Sequence, residues 1–356
     1  MPKKNSMAVK ERGVVPGLDT GDEHMPAARC MEVHRIMVRA RVMEERMIKM
    51  SKSGEGYFWI GGPGEEAFNT CLGLQTKKGH GPDFDYLHFK YRSSASMLAL
   101  GMDVIDAVRQ MAMTSTDPFS IGRNFPSHFS RKDWNVIPVT PVIEVQFAIA
   151  PGTAIVQKRH GGDGITLVVG GDAGSAEGDF TSCMLWSSRP DNELPVLMIT
   201  MNNGWGISTS YCSQHAAKHS VDRGQAFGIP GEVVDGNDPV ASWCSIERAM
   251  RYCRTERKPF MIEAMVSRLY GHSSSSGAPR SDDPDCVAMF EERMVSAGIM
   301  EQSAIDQVHE EAHAEVDAAV EKAMAEPKPE PSDVERGTYA DSEVDDVYPG
   351  DYTGLP

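Results

Sequence analysis

Two short, largely apolar runs, Ile165–Val169 (ITLVV) and Val196–Thr200 (VLMIT), each lead straight into a polar cluster. This repeated pattern constrains the fold more than any other feature. Apolar, β-branched runs without alternation are what strands buried on both faces look like. Helix-compatible sequence from about Ala176 to Trp186 separates them. Strand, helix and strand over this length make a βαβ unit, which predicts a parallel sheet. The clusters Gly170-Gly171-Asp172 and Asn202-Asn203-Gly204-Trp205 then fall at the C-terminal ends of neighbouring strands. Ligands bind at that edge of open α/β sheets.

The rest of the chain extends this plan. Met31, Val33, Ile36, Met37, Ala40, Met43 and Met47 recur at spacings of three and four, predicting a helix with a core-facing stripe. Further helices are expected over 101–113 (Ile105, Val108 and Met111 on one face), 240–256 and 301–325, and a further strand over 260–266. The expected class is α/β, a mostly parallel sheet with helices on both faces. Residues 1–28 read as a flexible N-terminal arm, 29–326 as the α/β domain with its C-terminal helices, and 327–356 as an extended acidic tail. That tail has eight acidic residues against Lys328 and Arg336. No internal repeat is present.

Composition excludes several function classes. A net charge of −16 repels phosphates, so neither nucleic acid nor an anionic membrane is an expected partner. There is no run of about eighteen apolar residues to span a bilayer. The opening MPKKNSMAVKERG is basic but leads into no apolar stretch, unlike a secretory signal. Cys30, Cys71, Cys183, Cys212, Cys244, Cys253 and Cys286 are scattered and never spaced C-x-x-C, as expected of reduced thiols in a cytoplasmic protein. No G-x-G-x-x-G follows the strand, which argues against a dinucleotide dehydrogenase.

The two strand tips carry the chemistry. Asp172 and Asn203 offer hard oxygen ligands of the kind Mg²⁺ takes, and the Trp205 carbonyl adds a third. Gly170, Gly171 and Gly174 let the backbone approach a diphosphate. A helix starting near Ser175 would point its free amides at the same anion. The sum is a magnesium–diphosphate site.

The spacing resembles that of the thiamine-diphosphate enzymes, in which Gly-Asp-Gly is followed, after about thirty residues, by Asn-Asn. Here Gly171-Asp172-Ala173 precedes Asn202-Asn203 by a spacer of 28 residues, with Ala173 where the family carries glycine. An upstream Gly162-Asp163-Gly164 lies 37 residues before the Asn pair and ahead of the strand, and reads as the turn entering it. Ala176-Glu177-Gly178-Asp179 and Gly206-Ile207-Ser208-Thr209 are similar to the alpha subunits of branched-chain 2-oxoacid and pyruvate dehydrogenases. So are Tyr91-Arg92, Gly122-Arg123 with Pro126-Ser127-His128, Phe227-Gly228-Ile229-Pro230, Val234-Asp235-Gly236-Asn237-Asp238, and Tyr270-Gly271-His272-Ser273-Ser274. The resemblance covers roughly residues 30–325.

The resemblance implies thiamine diphosphate and Mg²⁺ as cofactors, with Asp172, Asn203 and the Trp205 carbonyl on the metal. It implies that Tyr91, Arg92, Gly171, Ala173, Gly174 and His272 surround the diphosphate, that Ile143 props the cofactor in its bent shape, and that His272 and His128 serve the reaction. It further implies a beta subunit that supplies the activating glutamate in an α2β2 assembly. The reaction implied is decarboxylation of a 2-oxoacid with acyl transfer to a lipoyl-bearing acyltransferase. The apolar segment Tyr57–Gly64 points to a branched-chain acid ahead of pyruvate. An acetoin dehydrogenase alpha subunit, a self-contained thiamine enzyme and a non-catalytic homologue that binds a beta subunit stand as alternatives.

Two histidine pairs invite a metal reading. His309-Glu310-Glu311-Ala312-His313 fits the H-E-x-x-H pattern on a helix, but the sequence offers no third ligand. His215 and His219 stand four apart and fall in the loop after the Asn pair.

Overall fold

The structure, a computed structural model, describes residues 24–336. Most of the arm read at 1–28, and the tail beyond residue 336, lie outside the described residues. Helix α1 (Ala27–Ser53) and helix α2 (Glu66–Gln75) precede strand β1 (Tyr86–His88), α3 (Ser94–Ala99) and α4 (Val104–Met111). Helix α5 (Val145–His160) leads into β2 (Thr166–Gly171), α6 (Gly178–Ser187) and β3 (Val196–Asn202). A two-residue ribbon, β4 (Trp205–Gly206) and β5 (Thr209–Ser210), follows. Strand β6 (Gly231–Asp235), α7 (Pro239–Glu256), β7 (Phe260–Met265), α8 (Cys286–Ser296) and α9 (Gln302–Met324) complete the order.

The sheet runs β1-β2-β3-β7-β6 and every pairing in it is parallel. Alternate residues of the central strands enter two separate cores. Leu167, Val169, Leu197, Ile199 and Ile262 join the large cluster built with α1, α2, α4, α7, α8 and α9. Val168, Val196, Met198 and Met261 face the other way, onto Phe147 and Ala154 of α5 and Phe180 and Met184 of α6. Burial on both faces is why these strands carry continuous apolar runs.

The methionine stripe of α1 packs inward, with Met37, Met43 and Met47 all buried. Helix α4 is shorter than expected, with Asp103 and Ala112 as its two caps. Strands β1 and β6 and helices α2, α3, α5 and α8 had no periodic signature. Gly162 and Gly164 form the turn into β2, where a side chain would strike the Pro82 and Phe84 carbonyls. Residues 327–336, expected as extended tail, are tied down: Ser115 N–H donates to the Pro327 carbonyl, and the Arg123 guanidinium donates to the carbonyls of Asp333, Val334 and Arg336. Among the described residues no helix is long and apolar enough to cross a membrane.

Buried Arg41 clamps the helical layer. Its guanidinium donates to both Glu66 oxygens at 2.6 and 3.1 Å and to Asp285 Oδ2 at 2.7 Å, joining α1, α2 and the cap of α8. Arg41→Ala strands the Glu66 carboxylate, itself 2% exposed, without a counter-charge. The expected loss is about 3–5 kcal/mol, read as a lowered urea midpoint.

Candidate active site

The parallel register between β2 and β3 sets Gly171 opposite Met201, so both chains leave the sheet at one edge. There Asp172 and Asn203 line a single cleft of about 320 Å³. Tyr91, Arg92, Ile143, Gly171, Ala173, Gly174, Trp205 and His272 line it too. Ten of the eleven site residues inferred from the sequence therefore meet in one place. His128 is the exception. Its Nδ1 lies 3.1 Å from the Pro126 carbonyl, its Nε2 is buried without a partner, and its ring packs on Phe125, away from the cleft lining.

The two asparagines divide their work. Asn202 Nδ2 donates to Glu263 Oε1 at 2.6 Å, while Glu263 Oε2 accepts from Ser220 N–H at 2.6 Å. Asn202 thus bolts β3 to β7. Asn203 turns outward, and its Oδ1 accepts from Trp205 N–H at 3.1 Å across a turn whose Gly204 has φ of 79°. Asp172 is 2% exposed, and its Oδ2 is buried with no hydrogen-bond partner. Burial raises its pKa, against the pull of Lys90. An orphaned buried carboxylate oxygen beside an amide oxygen is a donor set that suits a hard divalent cation.

Ala173, the departure from the motif, adopts αR angles (φ −65°, ψ −42°), which cost alanine nothing. Its methyl sits where a side chain at Gly206 would meet it at 2.5 Å, so Gly206 makes the room. The helix expected from Ser175 is delayed. A 3-10 turn covers Gly174–Ala176, Glu177 is extended, and α6 begins at Gly178.

His272 is held by Arg92, whose guanidinium lies 3.3 Å from Nδ1 and donates to the His272 carbonyl at 3.0 Å. Arginine only donates, so Nδ1 accepts and the ring proton sits on Nε2. Burial first, then Arg92, Arg268 and Lys90, depress the imidazole to about 4, which keeps it neutral at pH 7. It offers an N–H toward an anion. Arg92 is less free than its Tyr-Arg context suggested, since it also donates to the Gly61 carbonyl. Lys90, which sequence reasoning passed over, lines the cleft and pairs with Glu65 at 3.0 Å. Its only sequence signal was its place beside Tyr91-Arg92.

Glu144 was also missed as a site residue. It is 4% exposed, has a left-handed φ of 62°, and lines the cleft. Its Oε1 accepts from Gly171 N–H at 3.0 Å, and its Oε2 is buried and unpartnered. A side chain at Gly170 or Gly174 would collide with this carboxyl. Those two glycines therefore clear space for Glu144, while only Gly171 faces open space as the sequence reading required. The segment Tyr57–Gly64, read as pocket wall, does not line the cleft. Its Trp59 indole donates to buried Glu44 at 2.8 Å, and Tyr57 and Phe58 edge a separate hollow of about 130 Å³. The pair His215 and His219 splits: His215 Nε2 donates to the Asp172 carbonyl at 2.8 Å, and His219 faces Glu263.

A parallel α/β sheet with a carboxylate, an amide and an open glycine at the carboxyl ends of adjoining strands has the donor set and the edge position that suit a metal-complexed anion. The profile of the dehydrogenase E1 component family matches residues 34–332. The 2-oxoisovalerate dehydrogenase subunit alpha of Bacillus subtilis (strain 168) is 30% identical over 244 residues, 68% of this chain and 72% of that protein. The mitochondrial subunit alpha 2 of Arabidopsis thaliana is 29% identical over 250 residues, 70% of this chain and 51% of its own length. The mitochondrial subunit alpha of Mus musculus is 26% identical over 264 residues, 74% of this chain and 58% of its own. The matched regions thus span only about half of the plant and mouse proteins. The chain belongs to the dehydrogenase E1 component family, as an alpha subunit of the thiamine-diphosphate-dependent 2-oxoacid dehydrogenases. An alpha subunit implies a beta-subunit partner.

Burial lifts Glu144 to about 8 from an ordinary 4.5, opposed by the Gly171 amide and Lys90 and reinforced by Glu177 and Asp172. A pKa raised by folding gives stability that is full below 4.5 and lost as pH rises through about 8. Glu144→Gln keeps the shape and has no proton to lose. Its melting temperature relative to the parent should climb between about pH 5 and pH 8 and level off above, measured by scanning calorimetry; parallel pH profiles would refute the assignment.

Proposed function

We propose that this alpha subunit acts with a beta subunit to decarboxylate a branched-chain 2-oxoacid and pass the acyl group to a lipoyl-bearing acyltransferase. The observation that carries the reading is the cleft itself, which gathers ten of the inferred residues from the end of β2 and the segments that follow β1, precede α5, follow β3 and follow β7. Thiamine diphosphate, when bound, supplies the electron sink for loss of carbon dioxide. The chain's own residues bind and orient it. Asp172, Asn203 and the Trp205 carbonyl hold Mg²⁺. The Gly171 segment receives the diphosphate where no side chain intrudes. Neutral His272 would donate a hydrogen bond from its Nε2–H to the anion, and Tyr91, packed edge-on against it with ring centroids 6.2 Å apart, fixes the ring. Lys90 and Arg92 add positive charge from beneath. Ile143, 52% exposed at the rim, would stand against the bound cofactor.

The substrate reading rests on the names of the relatives, all 2-oxoisovalerate dehydrogenase subunits, because Tyr57–Gly64 stands behind the cleft wall. Val142, Ile143, Trp205 and Ile207 form an exposed apolar rim, the kind of surface a partner covers. A beta subunit seated there supplies the activating glutamate and completes an α2β2 enzyme in the cytoplasm.

Asp172→Asn should weaken Mg²⁺-dependent thiamine diphosphate binding by at least ~100-fold while leaving the circular dichroism spectrum unchanged. Isothermal titration with and without Mg²⁺ reads the loss; unaltered affinity would remove Asp172 from the metal. Reconstituted with its beta partner, the enzyme should turn over 2-oxoisovalerate with a higher kcat/KM than pyruvate, and the reverse order would overturn the substrate assignment.

A further inference from the structure

We propose that His34, Glu291 and His309 form a binding site for a divalent transition-metal ion of the zinc, cobalt or nickel type in the helical layer. The three side chains come from α1, α8 and α9, with His34 lying 257 residues before Glu291 and His309 lying 18 after it. Yet His34 Nε2 and His309 Nε2 both point at one atom, Glu291 Oε1, at 2.8 and 2.7 Å. One ligand atom from each residue lies within 4.8 Å of the other two. The imidazole rings stand 6.3 Å apart at 64°, on either side of the carboxylate.

Two imidazole nitrogens and one carboxylate oxygen are a zinc ligand set that leaves a fourth position for water. Imidazole-rich sites favour zinc, nickel and cobalt over magnesium or calcium. Bonds of about 2.1 Å around a tetrahedral ion spread ligand atoms to roughly 3.3 Å. The present contacts need open by only about half an ångström. The ligands are held on rigid elements whose neighbours lie in the core: Val33 and Met37 on α1, Phe290 and Met294 on α8, Val308 and Ala312 on α9. Rigid helices are the better platform for such geometry.

Access and charge also fit. The His34 side chain is fully buried, while those of Glu291 and His309 are 19% and 35% exposed, so the cluster opens to solvent on one side. The Glu291 carboxyl sets a negative charge between the two imidazoles. His309 opens the H-E-x-x-H pattern, whereas His313 is exposed and outside the cluster. The motif's first histidine finds its partners on α1 and α8 instead of one turn along its own helix. None of these residues lines the strand-tip cleft.

The full chain, kept in millimolar Mg²⁺ to saturate the strand-tip site, is titrated with Co²⁺ and with Zn²⁺. Visible absorption reads the cobalt ligand field and calorimetry reads stoichiometry. The expected result is one equivalent of either metal per chain with a tetrahedral cobalt band. Affinity should fall at least tenfold in His309→Ala, a partly exposed position, and persist in His313→Ala. Glu291→Gln serves as a second variant if His309→Ala misfolds, and should lose the band likewise. Absence of a cobalt band, or equal binding by the parent and His309→Ala, overturns the site. Thiamine diphosphate affinity, measured on the same samples, should be unchanged in His309→Ala, which separates this result from the fate of the strand-tip reading.

Discussion

Everything at the strand-tip site depends on the parallel register between β2 and β3. With Gly171 opposite Met201, the two chains break from the sheet together, and their next residues project from one edge. A shift of a single residue would swap every side chain between the two cores and turn Asn203 away. The register is held by more than backbone bonds. Leu167 and Leu197 enter one core while Val168 and Met198 enter the other, so slippage exposes both faces at once. Asn202 then pins the end of β3 to Glu263 on β7, which also grips the loop at Ser220. The asparagine pair is thus one structural clamp and one outward-facing ligand.

Charge is arranged around this edge in layers. The chain as a whole carries −16, an unpromising host for an anion. Locally, buried cations offset it. Lys90 and Arg92 sit under the cleft, with Glu65 beside both at 3.0 and 3.9 Å. Lys90 and Arg92 set two positive charges in a low-dielectric wall, where they are felt more strongly than at the surface, against the carboxylates of Glu65 and Asp172. Glu144 would oppose them further if ionised. Its burial between Gly170 and Gly174 keeps it protonated at neutral pH, so the acid adds bulk and shape without adding negative charge.

Sequence and structure agree where a signal is periodic or contiguous. The apolar runs became β2 and β3, the methionine stripe became the inner face of α1, and the Gly-Asp and Asn-Asn clusters met at one edge. Short β1 and β6 were hidden because three to five residues cannot show a period. Helix α5 was hidden by Pro151 and by a start at left-handed Glu144. Glu144 itself belongs to none of the motifs. Its meaning lies in a volume exchange with glycines 26 and 30 residues away, which no local pattern encodes. His128 lies off the cleft lining for the opposite reason: a Pro-x-His string fixes a loop's neighbours but not the direction of its ring. The Val-Asp-Gly-Asn-Asp string, similarly, earns its place structurally, since Asp238 caps α7 through Val240 and Ala241 N–H.

The cleft is incomplete in one respect that follows from its own composition. Its floor is buried and polar, but Val142, Ile143, Trp205 and Ile207 leave its rim apolar and exposed. A site that stabilises charge through buried groups works best when water is excluded, because solvent screens the contributions of Lys90, Arg92 and His272 alike. The chain has no further element to fold over this rim among its described residues, since its last helix packs on α1 and α4 at the far layer. The apolar rim and the polar floor therefore argue for the same thing. On the proposed reading, the surface that recruits the beta subunit and the surface that must be dried for chemistry are one, so assembly and activation occur in a single step.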